Sequence, residues 1–362
     1  MRASWWRIVL GAVPLVGCAV ASAQPGPDGY DWATIGSVNN PAYDGPDPFN
    51  LVTGRGSVGY EYRMGRFEVT TAQWMEFYNT FKARADPVPD NVLPNLILWG
   101  AETDPTYSGP GTRYRLRNVP NAGMIPVAGA SWRTSARLVN WLHNDKSSDL
   151  SAIADGAYDT STFGQTAPGV FTDQVAHHPG ARYWIPTLDE NLKAWHYDPQ
   201  RFGPGQGGYW QYSHSSDNPP IFGPPGIGEA NAQFSLPNFG QYDIPLGSYP
   251  NTRSPWGLLD TAGGTKEWLE SVRIINDRTY RSTHGSFYGT GGNPESDRVY
   301  NLGGEFGNAR TSYMGLRIAS AVPSPSSLVV FFLGTAVCTF RRNRKEGHPC
   351  GVSHQSTGSF GS

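Results

Sequence analysis

Hydrophobic positions along this chain follow a helical period in three places and a strand-and-turn pattern elsewhere. Thr70-Thr71-Ala72-Gln73 has the form of a capping box, and Trp74, Phe77, Tyr78 and Phe81 follow at three- and four-residue spacing. This predicts a helix opening near Thr71 with one aromatic face turned to a core. A second helix is predicted from Trp132, with Ala136, Leu138, Val139, Trp141 and Leu142 on its buried side, ending near His143–Lys146. The third follows Thr187, with Glu190 placed to close its cap, and stops before Asp198-Pro199. Gly59–Thr70 reads as a strand region. From Ser254 to Ala319 glycines alternate with large aromatics, including Trp256, Trp268 and Phe287. That alternation predicts short strands joined by tight turns, with the rings filling the core. The pattern defines a single α+β domain over 59–320 with little regular secondary structure.

The segments between are polar. Residues 24–58, rich in Gly, Pro, Asp and Asn, read as an irregular lead-in, and Lys146–Gln174 as a surface insertion. Gly203–Gly208 lacks the Lys-Ser/Thr that a phosphate loop needs. His177-His178 has no third His or Cys nearby, so the pair reads as solvated rather than metal-binding. There are 44 glycines, 30 prolines and 13 % aromatics in 362 residues, a loop-rich composition that can still bury a core. A net charge of −2 and a pI near 6.4 point away from nucleic acid. The stretch from Gln24 to Ala321 has no cysteine, so folding relies on packing rather than disulfides.

Both ends read as addresses. Residues 1–23 combine Arg2 and Arg7, the apolar run Ile8–Val16 and the cleavage-type Ala21-Ser22-Ala23, the pattern of an export signal. Leu15-Val16-Gly17-Cys18 is the alternative, a lipobox. At the other end, 321–345 runs from Val322-Pro323-Ser324-Pro325 through the apolar Leu328–Phe340 to Arg341-Arg342-Asn343-Arg344-Lys345. It resembles a PEP-CTERM sorting signal of bacteria, and a polar tail, 346–362, follows. The expected location is therefore outside the cytoplasm, at the cell surface, outer envelope or matrix, with the C-terminal segment meeting the membrane.

Three motifs carry a family resemblance. They are Ala181-Arg182-Tyr183-Trp184-Ile185-Pro186-Thr187, then Ser254-Pro255-Trp256-Gly257-Leu258-Leu259-Asp260 with Gly263-Gly264-Thr265-Lys266-Glu267-Trp268, and Gly285-Ser286-Phe287 with Gly315-Leu316-Arg317. Together they resemble the sulfatase-modifying-factor family, the formylglycine-generating-enzyme type of domain with a C-type-lectin-like fold. The resemblance implies an oxidase centre of two cysteines just after the Gly-Ser-Phe step. Here those positions are Gly289 and Pro294, which offer no thiolate to copper or to a substrate cysteine.

The resemblance also implies calcium, held by Asn231 and Asn238 at one site and by Glu267 at another. At the second site Gly264 stands where the family has Asn and Lys266 where it has Trp, so a plain Glu267–arginine pair is the competing reading. Copper is not expected. The expectation is an exported binding or structural protein without catalytic residues, its partner an extracellular glycan or protein. The alternative is a formylglycine-generating oxidoreductase acting on a sulfatase cysteine.

Overall fold

The computed structural model describes residues 28–232, 243–288 and 294–323. The leader 1–23, Asn238, Gly289, the run Leu328–Phe340 and the tail lie outside them. Among the described residues no helix is long and apolar enough to cross a membrane.

The three helices are α1 (Thr71–Lys82), α2 (Trp132–His143) and α3 (Leu188–His196). Each begins where a side chain satisfies an orphan amide. Thr70 and Gln73 close a reciprocal box at 3.3 and 2.9 Å, and Thr187 and Glu190 do the same at 3.1 and 2.8 Å. At the start of α2, Ser131 Oγ accepts from Thr134 N at 3.1 Å. A cap of this kind stabilises a helix by ~1 kcal/mol. α3 ends at His196 because the chain turns extended, pairing Tyr197–Asp198 with Gly208–Tyr209.

Two four-stranded sheets organise the rest. One is antiparallel and orders Trp32–Ile35, Tyr62–Gly65, Ala319–Ala321 and Tyr183–Trp184 side by side. The other is built on the long hairpin Lys266–Ile275 and Arg278–His284, flanked by Gly303–Glu305 and by Met314–Gly315, the last running parallel. A bulge between Trp268 and Val272 bends the hairpin.

One continuous apolar cluster runs from Tyr30 to Ala319 and includes Trp74, Phe77, Trp132, Trp141, Trp195 and Trp268, all buried. Truncating any one of these rings to alanine is expected to cost ~3–5 kcal/mol. A second, smaller cluster gathers Tyr43, Val52, Leu188, Leu192, Leu269 and Leu302, so each of the two clusters draws on residues from both sides of position 150.

Three segments differ from the sequence reading. The lead-in supplies a strand, Trp32–Ile35, whose Ala33 and Ile35 point inward in the two-residue period of a strand. The strand region Gly59–Thr70 shrinks to Tyr62–Gly65, with turns on either side. The 146–174 stretch is not merely a surface insertion, since Ala152, Ile153, Ala157 and Tyr158 are buried. Asn140 on α2 makes this possible: its amide donates to Tyr158 O at 2.7 Å and accepts from Tyr158 N at 2.8 Å. A polar segment can enter the core once its backbone groups are matched in this way.

Candidate functional site

The Gly263-Gly264 turn is contacted by Glu68, Asn231 and Ser286. Both glycines have positive φ, +82° and +59°. A Cβ on Gly264 would lie 2.4 Å from Glu68 Oε1, and one on Gly263 would lie 2.1 Å from Asn231 Oδ1. The turn is thus held against two side chains brought from distant parts of the chain. Asn231 Oδ1 accepts from Gly264 N at 2.6 Å. Glu68 Oε1 accepts from Thr265 N at 2.9 Å, and its Oε2 is hydrogen-bonded to Thr265 Oγ1 at 2.6 Å.

Just beyond, Glu267 and Arg317 form a fully buried ion pair. Arg317 Nε and Nη2 donate to the carboxylate at 2.8–3.1 Å. The remaining donors reach the backbone: Nη1 goes to Gly65 O and Arg66 O at 2.9 and 2.8 Å, and Nη2 to Leu259 O at 3.0 Å. A buried guanidinium is tolerable because every edge of its planar fork is occupied. Burial, with the Glu267 charge next in weight, pushes the Glu68 carboxyl well above its usual range. Burial raises Glu267 as well, but the guanidinium of Arg317 opposes that rise, so of the two carboxyls Glu68 is the one more readily protonated.

The excursion between Ser286 and Asp297 contains the two positions, 289 and 294, at which the resemblance implies cysteine. Gly289 is outside the described residues, and Pro294 opens a 3-10 turn, Pro294–Asp297. That turn returns Asp297 to Ser286, whose N and hydroxyl donate to the two carboxyl oxygens at 2.7 and 2.8 Å. The same hydroxyl accepts from Gly263 N at 2.8 Å. Ser286 is therefore a clamp between turn and hairpin, its hydroxyl engaged by Asp297 on one side and by Gly263 N on the other. Burial pushes Asp297 up to about 6, against the two hydrogen bonds from Ser286 and, less strongly, the Lys266 charge.

The expected site residues are thus placed as follows. Asn231 and Glu267 both sit at the Gly263–Glu267 turn, but they engage different partners. Asn231 ties down a backbone N–H, and both Glu267 oxygens face a guanidinium. A carboxylate committed to a buried cation does not fit the oxygen-rich shell calcium requires. The competing arginine reading of Glu267 accounts for its geometry, with Arg317 as the partner. His177 and His178 separate. His177 Nδ1 meets Glu270 Oε2 at 2.6 Å with its ring stacked on Trp184, while His178 lines a polar cleft with His143. Burial works against protonation of His177, but the hydrogen bond and charge of Glu270 outweigh it and hold the imidazole above its ordinary value. Among the described residues no three His, Cys, Asp or Glu side chains are grouped to hold a metal.

Sequence reasoning missed a buried polar belt along α3. Asn191 Oδ1 meets His284 Nδ1 at 2.6 Å, and His284 stacks on Trp195 with ring centroids 4.9 Å apart. Burial lowers His284 to about 4, so the ring is neutral at physiological pH. Asn191 Nδ2, Lys193 Nζ, Trp195 Nε1 and His196 Nε2 are buried without a hydrogen-bond partner. The signal was present in the sequence: Asn191 stands where the related motif has Trp, and a smaller polar residue there leaves room for an imidazole.

Fold and site together define a short-stranded α+β domain closed around a buried Arg–Glu pair and a glycine turn. The chain belongs to the family described as the sulfatase-modifying factor enzyme 1-like domain, whose pattern it matches over residues 56–322. Among solved structures it is similar to CarF, at 16 % identity and a TM-score of 0.49, covering 81 % of this chain and 99 % of that one. It is similar to Treponema denticola variable protein 1 at 16 % identity and 0.49, covering 81 % and 95 %. The values for PvdO from Pseudomonas aeruginosa are 14 %, 0.45, 83 % and 97 %. No curated protein matches the chain.

Proposed function

We propose that this chain is an exported, non-catalytic member of its family, a binding or structural protein on a C-type-lectin-like arrangement of the domain. One observation carries the reading: the span from Gln24 to Ala321 has no cysteine, and Gly289 and Pro294 stand at the family's two thiolate positions. Glycine and proline supply no ligand to cuprous copper, and no shift of a neighbouring pKa can create one. The Ser286–Asp297 clamp supports it from the structural side, since the polar groups beside those positions are bound to one another.

The test is direct. Purified protein is incubated with copper(I), oxygen and a peptide carrying Cys-x-Pro-x-Arg, and the cysteine is followed by mass spectrometry. Unchanged cysteine is the expected outcome; formylglycine above the no-enzyme control restores the oxidoreductase alternative. The two terminal signals support export and retention at the envelope. Full-length protein recovered from the cytosol with its leader intact contradicts that part.

Calcium belongs to the proposal only at Asn231 and Asn238. An ion bound there raises the melting temperature by mass action. Equal melting in millimolar calcium and in chelator removes the site.

A further inference from the structure

We propose that the groove between the 86–92 loop, α2 and the 150–154 turn binds a small apolar carboxylate of the medium-chain fatty-acid type. Its chain would lie on Val88, Val92, Leu150 and Ile153, and its carboxylate on Arg137. The groove encloses about 520 Å³, inside the ~300–1,000 Å³ typical of small-ligand sites. Apolar side chains make both walls, and Leu150 is left 45 % exposed at the rim.

The charge arrangement selects the ligand. Arg133 and Arg137 sit one turn apart on α2 and share the vicinity of a single acid, Asp173. Arg133 takes it with three hydrogen bonds of 2.6–3.1 Å. Arg137 donates only from Nη1, to Arg133 O at 3.2 Å, and lies 5.1 Å over the Phe163 ring. Asp86, the acid lining the groove, is held by Arg84 at 2.6 and 3.0 Å. Among the described residues no carboxylate pairs with Arg137. Burial, then the Arg133 charge, pushes Arg137 down to about 10, as expected of a partly desolvated cation lacking a counterion. A guanidinium in that condition retains donors that a carboxylate engages two at a time. A groove this short suits a small molecule better than a protein, which needs ~800 Å² on each side for a stable interface.

Calorimetric titration of the full-length protein with octanoate, octanol and acetate separates chain from charge. Octanoate is expected to bind at least tenfold more tightly than octanol, and acetate to show no saturable binding. Arg137→Met should abolish the preference for octanoate over octanol. Leu150→Asp places a like charge at an exposed rim position, where folding is not at stake, and should weaken octanoate at least tenfold. Equal affinity for octanoate and octanol, unaltered octanoate binding in either variant, or no saturable binding overturns the proposal. Octanoate binding requires neither copper nor a sulfatase peptide, so a negative result leaves the proposed function untouched.

Discussion

Replacing Glu267 with glutamine keeps the shape of the side chain and removes its charge. With the amide oxygen at the Oε1 position it can still accept from Arg317 Nε and Nη2, but the new NH2 at the Oε2 position faces Nε, donor against donor. The guanidinium then sits fully buried without its ion-pair partner, held by that amide oxygen and by the carbonyls of Gly65, Arg66 and Leu259. Removing one partner of such a pair costs ~3–5 kcal/mol, against a total domain stability of ~5–15 kcal/mol. For a domain of about this size, ~2–4 °C is lost per kcal/mol, so the melting temperature should fall by roughly 6–20 °C. Thermal melting followed by circular dichroism reads this directly. The double variant Glu267→Leu with Arg317→Met removes both charges together. It should be less destabilised than the sum of the single variants by at least ~2 kcal/mol, the coupling of a contacting buried pair. It will not reach wild type, because the carbonyls lose their donors. A melt of Glu267→Gln within about 2 °C of wild type refutes the reasoning, since it would mean that the cation is not desolvated.

Asp297 supplies a pH test. Folded, it keeps its proton up to about pH 6, whereas unfolded it ionises near ~3.9. The folded state binds the extra proton in that window, so the stability it contributes is present below pH ~4 and lost as pH rises to ~6, roughly 3 kcal/mol for a two-unit shift. Asp297→Asn should therefore gain on wild type between pH 4 and 6, and a constant difference in melting temperature contradicts this. Gly264→Asn installs the residue usual in the family at a left-handed position that asparagine tolerates. Its Cβ meets Glu68 Oε1, so a loss of ~1–3 kcal/mol is expected in denaturant titrations; no loss would show that the Glu68 carboxyl yields freely. Asn191→Trp overfills α3 and strips His284 of its partner. A melting temperature equal to wild type would place that ring elsewhere.

The helices were legible because their signals are local. Thr70 with Gln73 and Thr187 with Glu190 declare two starts within four residues, and the aromatic spacing after Thr70 declares the buried face. The strand Trp32–Ile35 was not legible, since it exists through its pairing with Tyr62–Gly65 and a four-residue strand carries almost no pattern of its own. Tyr158 escaped for the same reason: its burial depends on Asn140, eighteen positions away. At the site, the sequence shows glycine at 289 and proline at 294, the positions on which the proposed function rests. It offered an arginine as partner for Glu267 but could not say which one, because Arg317 lies fifty positions on. The Asn191–His284 pair, separated by ninety-three, required the fold itself.

The order of strands in the first sheet bears on how the chain comes to be folded at all. Ala319–Ala321, the last strand formed in synthesis, lies in the middle of that sheet, between Tyr62–Gly65 and Tyr183–Trp184. Arg63 and Ser320, joined there by a 2.8 Å hydrogen bond, are 257 positions apart. The sheet cannot close while those final residues are still in the ribosome, and Arg317, two positions before the strand, is missing until the same moment. Everything earlier must wait with its aromatic faces only partly covered, the situation in which long-range pairing folds slowly and exposed chains associate. Nascent chains of this protein should consequently remain protease-sensitive until residue 321 has cleared the exit tunnel, and then become resistant together, as one unit.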